Sequence, residues 1–380
     1  MKLKIIISSI PALFMFFGIA WADTVKVGFN VPLTGFAAAD GESALNGAKL
    51  AVNQANANGG INGKQIELVI YDDQASPKEA VPIANRLIEK DGVKVAVSGS
   101  YSGSTRAAAG VFQAAGIPYI SAYAIHPGIT RAGKYIFRTS FMGEVQGAAG
   151  ALLIGQTMQI KRVVVITLKN DFGKSLAAGF KAEAANFGIE IINEYEYSIP
   201  DRQFGPIVAK VRADKPDAIY ASGYFFTAGP LVNQLRSGGV TVPVIGQEGY
   251  DSEQFIKIAG AASEGVIITT SLDRDSNSPE TRSFITEYEK LTRNKVDMVA
   301  ASGHTALNVV IAALRIAGTS NPKAIRNAIA QTQLNAATGH ISFNTLGEVR
   351  KNVQVQIVRN GEWHYHSEIR DQILLAPPES

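Results

Sequence analysis

The sequence predicts an α/β protein of two doubly wound, parallel-sheet lobes with a cleft between them. Three observations carry this. Short apolar runs rich in β-branched residues alternate with helix-like segments through most of the chain, the pattern of βαβ units. The pattern restarts near residue 160, with no short internal repeat. The chain's 380 residues are also more than one hydrophobic core usually serves.

The chain opens with Lys2 and Lys4, an apolar stretch from Ile5 to Ile19, and the triplet Ala20-Trp21-Ala22. This reads as a secretory signal cut after Ala22, with a mature start at Asp23 and a periplasmic destination. Its apolar core is too short for a stable membrane span, and no cysteine follows for acylation. The expected strands are then VKVGFNV (25–31), IELVIYD (66–72), VKVAVSG (93–99), YIS (119–121), RVVVITL (162–168), IEIINEY (189–195), AIYASG (218–223), PVIG (243–246) and GVIITT (265–270). Amphipathic helices ALNGAKLAVNQANA (44–57) and PIANRLIEK (82–90) lie between the early strands. SPETRSFITEYEKL (278–291) and ASGHTALNVVIAALRIAG (301–318) read as long helices, and VQVQIVRNGEWHYHS (353–367) as a hairpin turning at Asn360-Gly361.

Composition excludes several functions. With no cysteine there are no disulfides or thiolate metal sites. The 36 Lys and Arg face 33 Asp and Glu, and two of those lysines fall in the signal, leaving +1. That is no footprint for nucleic acid. No second apolar stretch is expected to cross a membrane. Gly173-Lys174-Ser175 ends like a P-loop, but Leu168 stands where that loop needs glycine. His364 and His366 share a strand face without a third ligand nearby, so no metal site is expected. Trp363 reads as packing and Asp72-Asp73 as a turn. No cofactor is called for.

SGSYSGST (98–105) follows an apolar run and precedes the helix-like RAAAGVFQAAG. A strand-to-helix junction exposes free N–H groups and the positive end of a helix dipole. With small hydroxyls beside it, such a junction suits an anion. Ligands of open α/β sheets sit beyond the carboxyl ends of the strands, where this loop falls.

LTGFAAADGESALNGAKLAVNQANANGGINGKQIELVIYDDQASPKEA (33–80) resembles the opening of the branched-chain amino-acid (Leu/Ile/Val-binding) type of periplasmic solute-binding proteins, which serve ABC importers. VSGSYSGST, IPYISAYAIHPGIT, FRTSF, NDFGKS, IYASGYF and GQEGY match that family in order, over nearly the whole mature chain. The resemblance implies a type I periplasmic binding protein fold, with three crossings between lobes near 142, 272 and 347. After the signal (1–22), residues 23–142 with 273–347 would form the N-terminal lobe. Residues 143–272 with 348–370 would form the C-terminal lobe, and 371–380 a tail.

The resemblance also implies a ligand site. Ser102 matches the serine whose hydroxyl and N–H hold a ligand α-carboxylate, and Tyr123 and Ala124 fall where backbone groups line the same side. Tyr224 and Glu248 match the aromatic and the acid that meet the ligand ammonium. Phe172 stands where a covering tyrosine is frequent. Three positions depart from the pattern but belong to the same expected site. Ile125 replaces a Thr or Ser and removes a hydroxyl. Asp40 replaces a tyrosine or small residue and offers an acceptor for an amine. Tyr101 replaces a cysteine that some relatives use in a disulfide. Each residue has a plainer reading: Ser102 as a helix cap, Glu248 as a solvated loop acid, Asp40 as a turn residue, and Tyr123, Tyr224 and Phe172 as packing.

The chemistry fits without the family. A free amino acid carries a carboxylate and an ammonium, each costly to bury unpaired. Hydroxyls at a helix start suit the first; a carboxylate beside an aromatic face suits the second. The expectation is a monomeric, non-enzymatic solute-binding subunit that closes on a small amino acid and hands it to an inner-membrane ABC permease. A non-aminated aromatic or branched carboxylate is the alternative ligand. A secreted hydrolase using Ser100 or Ser102 with His126 lacks the G-x-S-x-G turn. A sensory ectodomain would continue into a membrane helix, which DQILLAPPES is not.

Overall fold

Residues 24–379 are described in the structure, a computed structural model. The signal, its cut after Ala22 and the Asp23 start lie outside the described residues. The chain begins with β1 (Val25–Val31), α1 (Ala38–Ala57), β2 (Ile66–Asp72), α2 (Pro77–Glu89), β3 (Ala96–Ser98), α3 (Ser102–Ala115), β4 (Tyr119–Ser121) and β5 (Ile136–Arg138). The five strands make a parallel sheet ordered β2-β1-β3-β4-β5. Val27, Phe29 and Val31 of β1 are fully buried, as expected of a strand covered on both faces.

The chain continues through α4 (Gly143–Leu152), β6 (Arg162–Leu168), α5 (Asp171–Ala184), β7 (Glu190–Tyr197), α6 (Gly205–Asp214), β8 (Ala218–Ala221), α7 (Phe225–Ser237), β9 (Val244–Gln247), α8 (Glu253–Ala259) and β10 (Ile267–Thr270). Then come α9 (Pro279–Thr292), α10 (Met298–Ala317), α11 (Pro322–Ala330), the ribbon β11 (Gln333–Ala336) and β12 (Gly339–Ser342), and the hairpin β13 (Val353–Arg359) and β14 (Glu362–Ile369). The second sheet is ordered β14-β13-β10-β9-β8-β6-β7. β6 to β10 run parallel, and the hairpin joins antiparallel to β10. Asn360 (φ 53°) and Gly361 (φ 75°) make its turn.

After β10 the chain returns to the first sheet's side, where α10 lies along α1. A Cβ on Gly47 of α1 would sit 2.0 Å from the Ala300 carbonyl oxygen, so this approach requires glycine. By length and composition α10 could cross a bilayer, at a mean hydropathy of 1.4, which corrects the expectation that no later stretch could. Here it is a core helix, with 78% of its apolar window buried.

Other differences are local. α2 starts at Pro77, whose missing N–H costs nothing in a first turn, and carries Pro82 inside it. α1 starts at Ala38, and β3 shrinks to three residues. β5 and the β11–β12 ribbon are absent from the sequence reading; β5 ends in Arg138, whose charge argues against a buried strand until its partner is seen.

The strand order doubles back between β1 and β3 and again between β6 and β8. These are the switch points where open sheets bind ligands. The segments leaving β3 and β8 face each other across the lobes.

Candidate ligand-binding site

Tyr101 precedes α3 in extended conformation (φ −75°, ψ 164°), and Tyr224 precedes α7 in nearly the same one (φ −104°, ψ 161°). The two rings stack with centroids 4.1 Å apart and planes within 2°. Phe172, in the first turn of α5, stacks on Tyr224 at 4.7 Å. Tyr123 meets Tyr101 edge-on at 6.3 Å and donates its hydroxyl to the Gly99 carbonyl at 2.8 Å. These walls close on a narrow cavity with about 20 Å³ of free space, room for about one water molecule.

Ser102 opens α3, where first-turn N–H groups lack helical partners. Its Oγ accepts the Ile125 N–H at 3.2 Å, so the hydroxyl proton stays free to donate. Across the cavity, Glu248 follows β9. A Cβ on Gly249 would lie 2.2 Å from the Gly223 carbonyl oxygen; glycine there lets the Glu248 turn rest against the loop before α7.

Three carboxyl side chains, Asp40, Glu248 and Asp251, line the cavity, and among the described residues no Lys or Arg does. Asp251 is matched by an ion pair with Arg274 and accepts the Thr270 hydroxyl at 2.6 Å. Asp40 accepts the Tyr101 hydroxyl at 2.6 Å. Burial pushes the Asp40 pKa up to about 7; Tyr101 opposes this, while Asp297 and Asp251 reinforce it. Glu248 is 2% exposed, and neither carboxylate oxygen has a hydrogen-bond partner. Burial raises its pKa to about 8; Lys351, Arg138 and the nearby Ser271 hydroxyl pull it down, and Asp251 pushes it further up.

Eight of the nine expected residues, Asp40, Tyr101, Ser102, Tyr123, Ala124, Phe172, Tyr224 and Glu248, meet at this one cavity. Ile125 does not line it. Its fully buried side chain points toward α4, where a Cβ on Gly143 would lie 3.2 Å from Ile125 Cδ1. Its backbone ties Ser102 on one side to Gly143 N–H on the other, the latter at 2.8 Å. Ala124 reaches the cavity, but its polar backbone groups face inward. Its N–H donates to Ser121 Oγ at 3.1 Å, and its carbonyl accepts from Ser121 Oγ and Arg138 Nη1. Ser100 donates to Asp73 Oδ1 at 2.9 Å, and His126 Nδ1 accepts the Gly128 N–H at 3.0 Å. Among the described residues, neither Ser100 nor Ser102 bonds to His126.

Sequence reasoning missed Gly249, Asp251, Met298 and Val299 of the lining. GQEGYD offered a signal for the first two. Met298 and Val299 start α10, and only the fold brings them there.

The sequence profile described as periplasmic binding protein matches residues 24–362. The chain belongs to that family, with its type I fold, and is of the branched-chain amino-acid ABC transporter type. It is 29% identical over 344 residues to a leucine-, isoleucine-, valine-, threonine- and alanine-binding protein of Pseudomonas aeruginosa, spanning 90% of this chain and 91% of that one. The substrate-binding protein LivJ of Streptococcus pneumoniae, solved with isoleucine, superposes with a TM-score of 0.85 at 28% identity, covering 91% of this chain and 99% of LivJ. A solute-binding protein of Rhodopseudomonas palustris, solved with 3,4-dihydroxybenzoic acid, superposes at 0.84 with 25% identity, covering 91% and 97%.

Proposed function

We propose that this chain is the extracytoplasmic solute-binding subunit of an ABC importer, a periplasmic monomer that captures a small neutral amino acid and delivers it to the inner-membrane permease. The supporting observation is Glu248, a buried carboxylate at the cavity wall with both oxygens unpartnered. Such a group is costly unless a cation meets it. An α-ammonium against Glu248 and the Tyr224 ring offsets that cost, while the Ser102 hydroxyl and the start of α3 take the α-carboxylate. The moving units are residues 23–142 with 273–347 and residues 143–272 with 348–370, with 371–380 a tail. This division is supported by the chain changing sheets after β5, after β10 and after β12. A ligand touching both units stabilises the closed state because it binds that state better than the open one.

The four aromatic rings around the cavity support a second reading, an aromatic acid without an amine, in line with the relative solved with a dihydroxybenzoate. A thermal-shift panel on residues 23–380, stripped of carried ligand by unfolding and refolding, separates the two. It pairs L-amino acids with their keto-acid and aromatic-acid counterparts, since a ligand of the native state raises the melting temperature. A rise with an amino acid and none with its keto acid is the expected result. A rise with deaminated acids alone replaces the first reading by the second.

A further inference from the structure

Asp40 sits on α1, beside the first sheet, while Glu248 follows β9 of the second. Both line the ligand cavity. In the amino-acid reading, Ser102 and the start of α3 take the α-carboxylate, and Glu248 with Tyr224 takes the α-ammonium. The lining left over for the ligand's side chain includes Asp40, with Met298 and Val299 at the start of α10. That wall joins two apolar side chains to one acid. Asp40 is 6% exposed. Its Oδ2 accepts the Tyr101 hydroxyl at 2.6 Å, and the Tyr101 ring lies flat on Tyr224, so the carboxyl group is held in one orientation. Among the described residues that is its one side-chain hydrogen bond, and Oδ1 has none. The neighbouring acids are already matched. Asp251 pairs with Arg274 and accepts from Thr270, while Asp297 accepts the Ser43 hydroxyl at 2.6 Å and the Ala300 N–H at 2.7 Å. Asp40 Oδ1 is the acceptor that remains on the α1 side of the cavity.

We propose that Asp40 determines ligand specificity, and that the ligand is a neutral amino acid carrying a hydroxyl on a short side chain. The inference rests on the amino-acid reading above. A hydrocarbon side chain at this wall would bury Oδ1 with no partner, at the cost of desolvating that oxygen. A side-chain hydroxyl supplies the missing bond, while its carbon stem packs on Met298 and Val299. Free space of about 20 Å³ favours a short stem. The hydroxyl also suits Asp40 better than a second ammonium does. With its pKa raised by burial to about 7, the carboxyl gains or loses its proton near neutrality. A hydroxyl donates or accepts and so pairs with either form, whereas an ammonium only donates.

The test is calorimetric titration of wild type and Asp40→Leu with two matched pairs, L-threonine against its isostere L-valine and L-serine against L-alanine. Wild type is expected to bind the hydroxylated member of each pair roughly tenfold or more tightly, because a site built around a hydrogen bond rejects a ligand that lacks it. In Asp40→Leu, checked for folding by its melting curve, that preference should vanish or reverse. Valine bound by wild type as tightly as threonine overturns the proposal, and this arm needs no variant. An unchanged preference in Asp40→Leu overturns it as well. So does a loss by the same factor for all four ligands, since Asp40 then serves the ammonium they share. If none of the four binds while keto acids do, the amino-acid reading falls and the proposal falls with it. Tight binding of all four without preference removes the proposal alone and leaves the amino-acid reading standing.

Discussion

Arg138 donates from Nε to Glu348 Oε2 at 2.9 Å, although the two residues are 210 positions apart and essentially inaccessible to water. Arg138 ends β5 where the chain leaves the first sheet, and Glu348 lies on the return from β12 to β13. The same guanidinium donates to the carbonyls of Ala124 and His126. One buried ion pair thus joins the segment leaving the first sheet and the segment entering the second to the loop behind the ligand cavity. Removing one partner of such a pair strands the other charge. Glu348→Gln is expected to lower unfolding free energy by about 3–5 kcal/mol in urea titration. A loss below about 1 kcal/mol, the level of an exposed pair, would show that water reaches Arg138.

Ser102→Ala removes the Ile125 contact and the free hydroxyl proton together. Ligand affinity by calorimetry should drop by about 1–3 kcal/mol if that proton meets a buried carboxylate. Unchanged affinity would reduce Ser102 to a helix-start residue.

Glu248→Gln keeps shape and removes charge. The expected result is a loss of about 1.5–3 kcal/mol for an L-amino acid, the scale of a hydrogen bond to a charged group. Its keto acid should be affected far less. Equal losses for both ligands would mean that Glu248 does not read an amine.

Asp40 gives a pH signature in stability. Its folded pKa of about 7 lies above the ordinary value of 3.8. Its favourable contribution is therefore complete below the unfolded pKa and is lost as pH rises through 7. Asp40→Asn, which keeps an acceptor for Tyr101, should melt higher than wild type at pH 8 and level with it near pH 4. The gain at pH 8 should be on the order of 2–4 kcal/mol. Parallel melting curves for the two proteins across that range would count against a buried, proton-sensitive Asp40.

Ile125→Thr places a hydroxyl where the family resemblance implies one. Since this side chain packs toward Gly143 and away from the cavity, the change should bring no affinity for an amino acid. It should cost about 1–3 kcal/mol of stability from a buried hydroxyl. Tighter binding in the variant would show that the side chain turns into the site.

The parallel strands were legible because each is a short apolar run with its own turn signals. The meeting of Ser102 with Tyr224 and Glu248 was legible only through the family pattern, since residues on separate lobes share no local spacing. Arg138 hid β5, because a charge inside a strand makes sense only beside Glu348. Ile125 misled in a simpler way, since a residue's place in a motif does not fix the direction of its side chain.

Ser43 on α1 donates to Asp297, the residue that caps α10, across 254 positions of chain. During synthesis, α1 emerges early with its apolar face bare. The parallel strands β6 to β10 are all translated, ending at Thr270, before Met298 leaves the ribosome. The first-made half of the polypeptide is therefore the last to complete its core. A ribosome stalled anywhere before α10 would hold a chain whose leading part is sticky and unfinished, a state that invites aggregation.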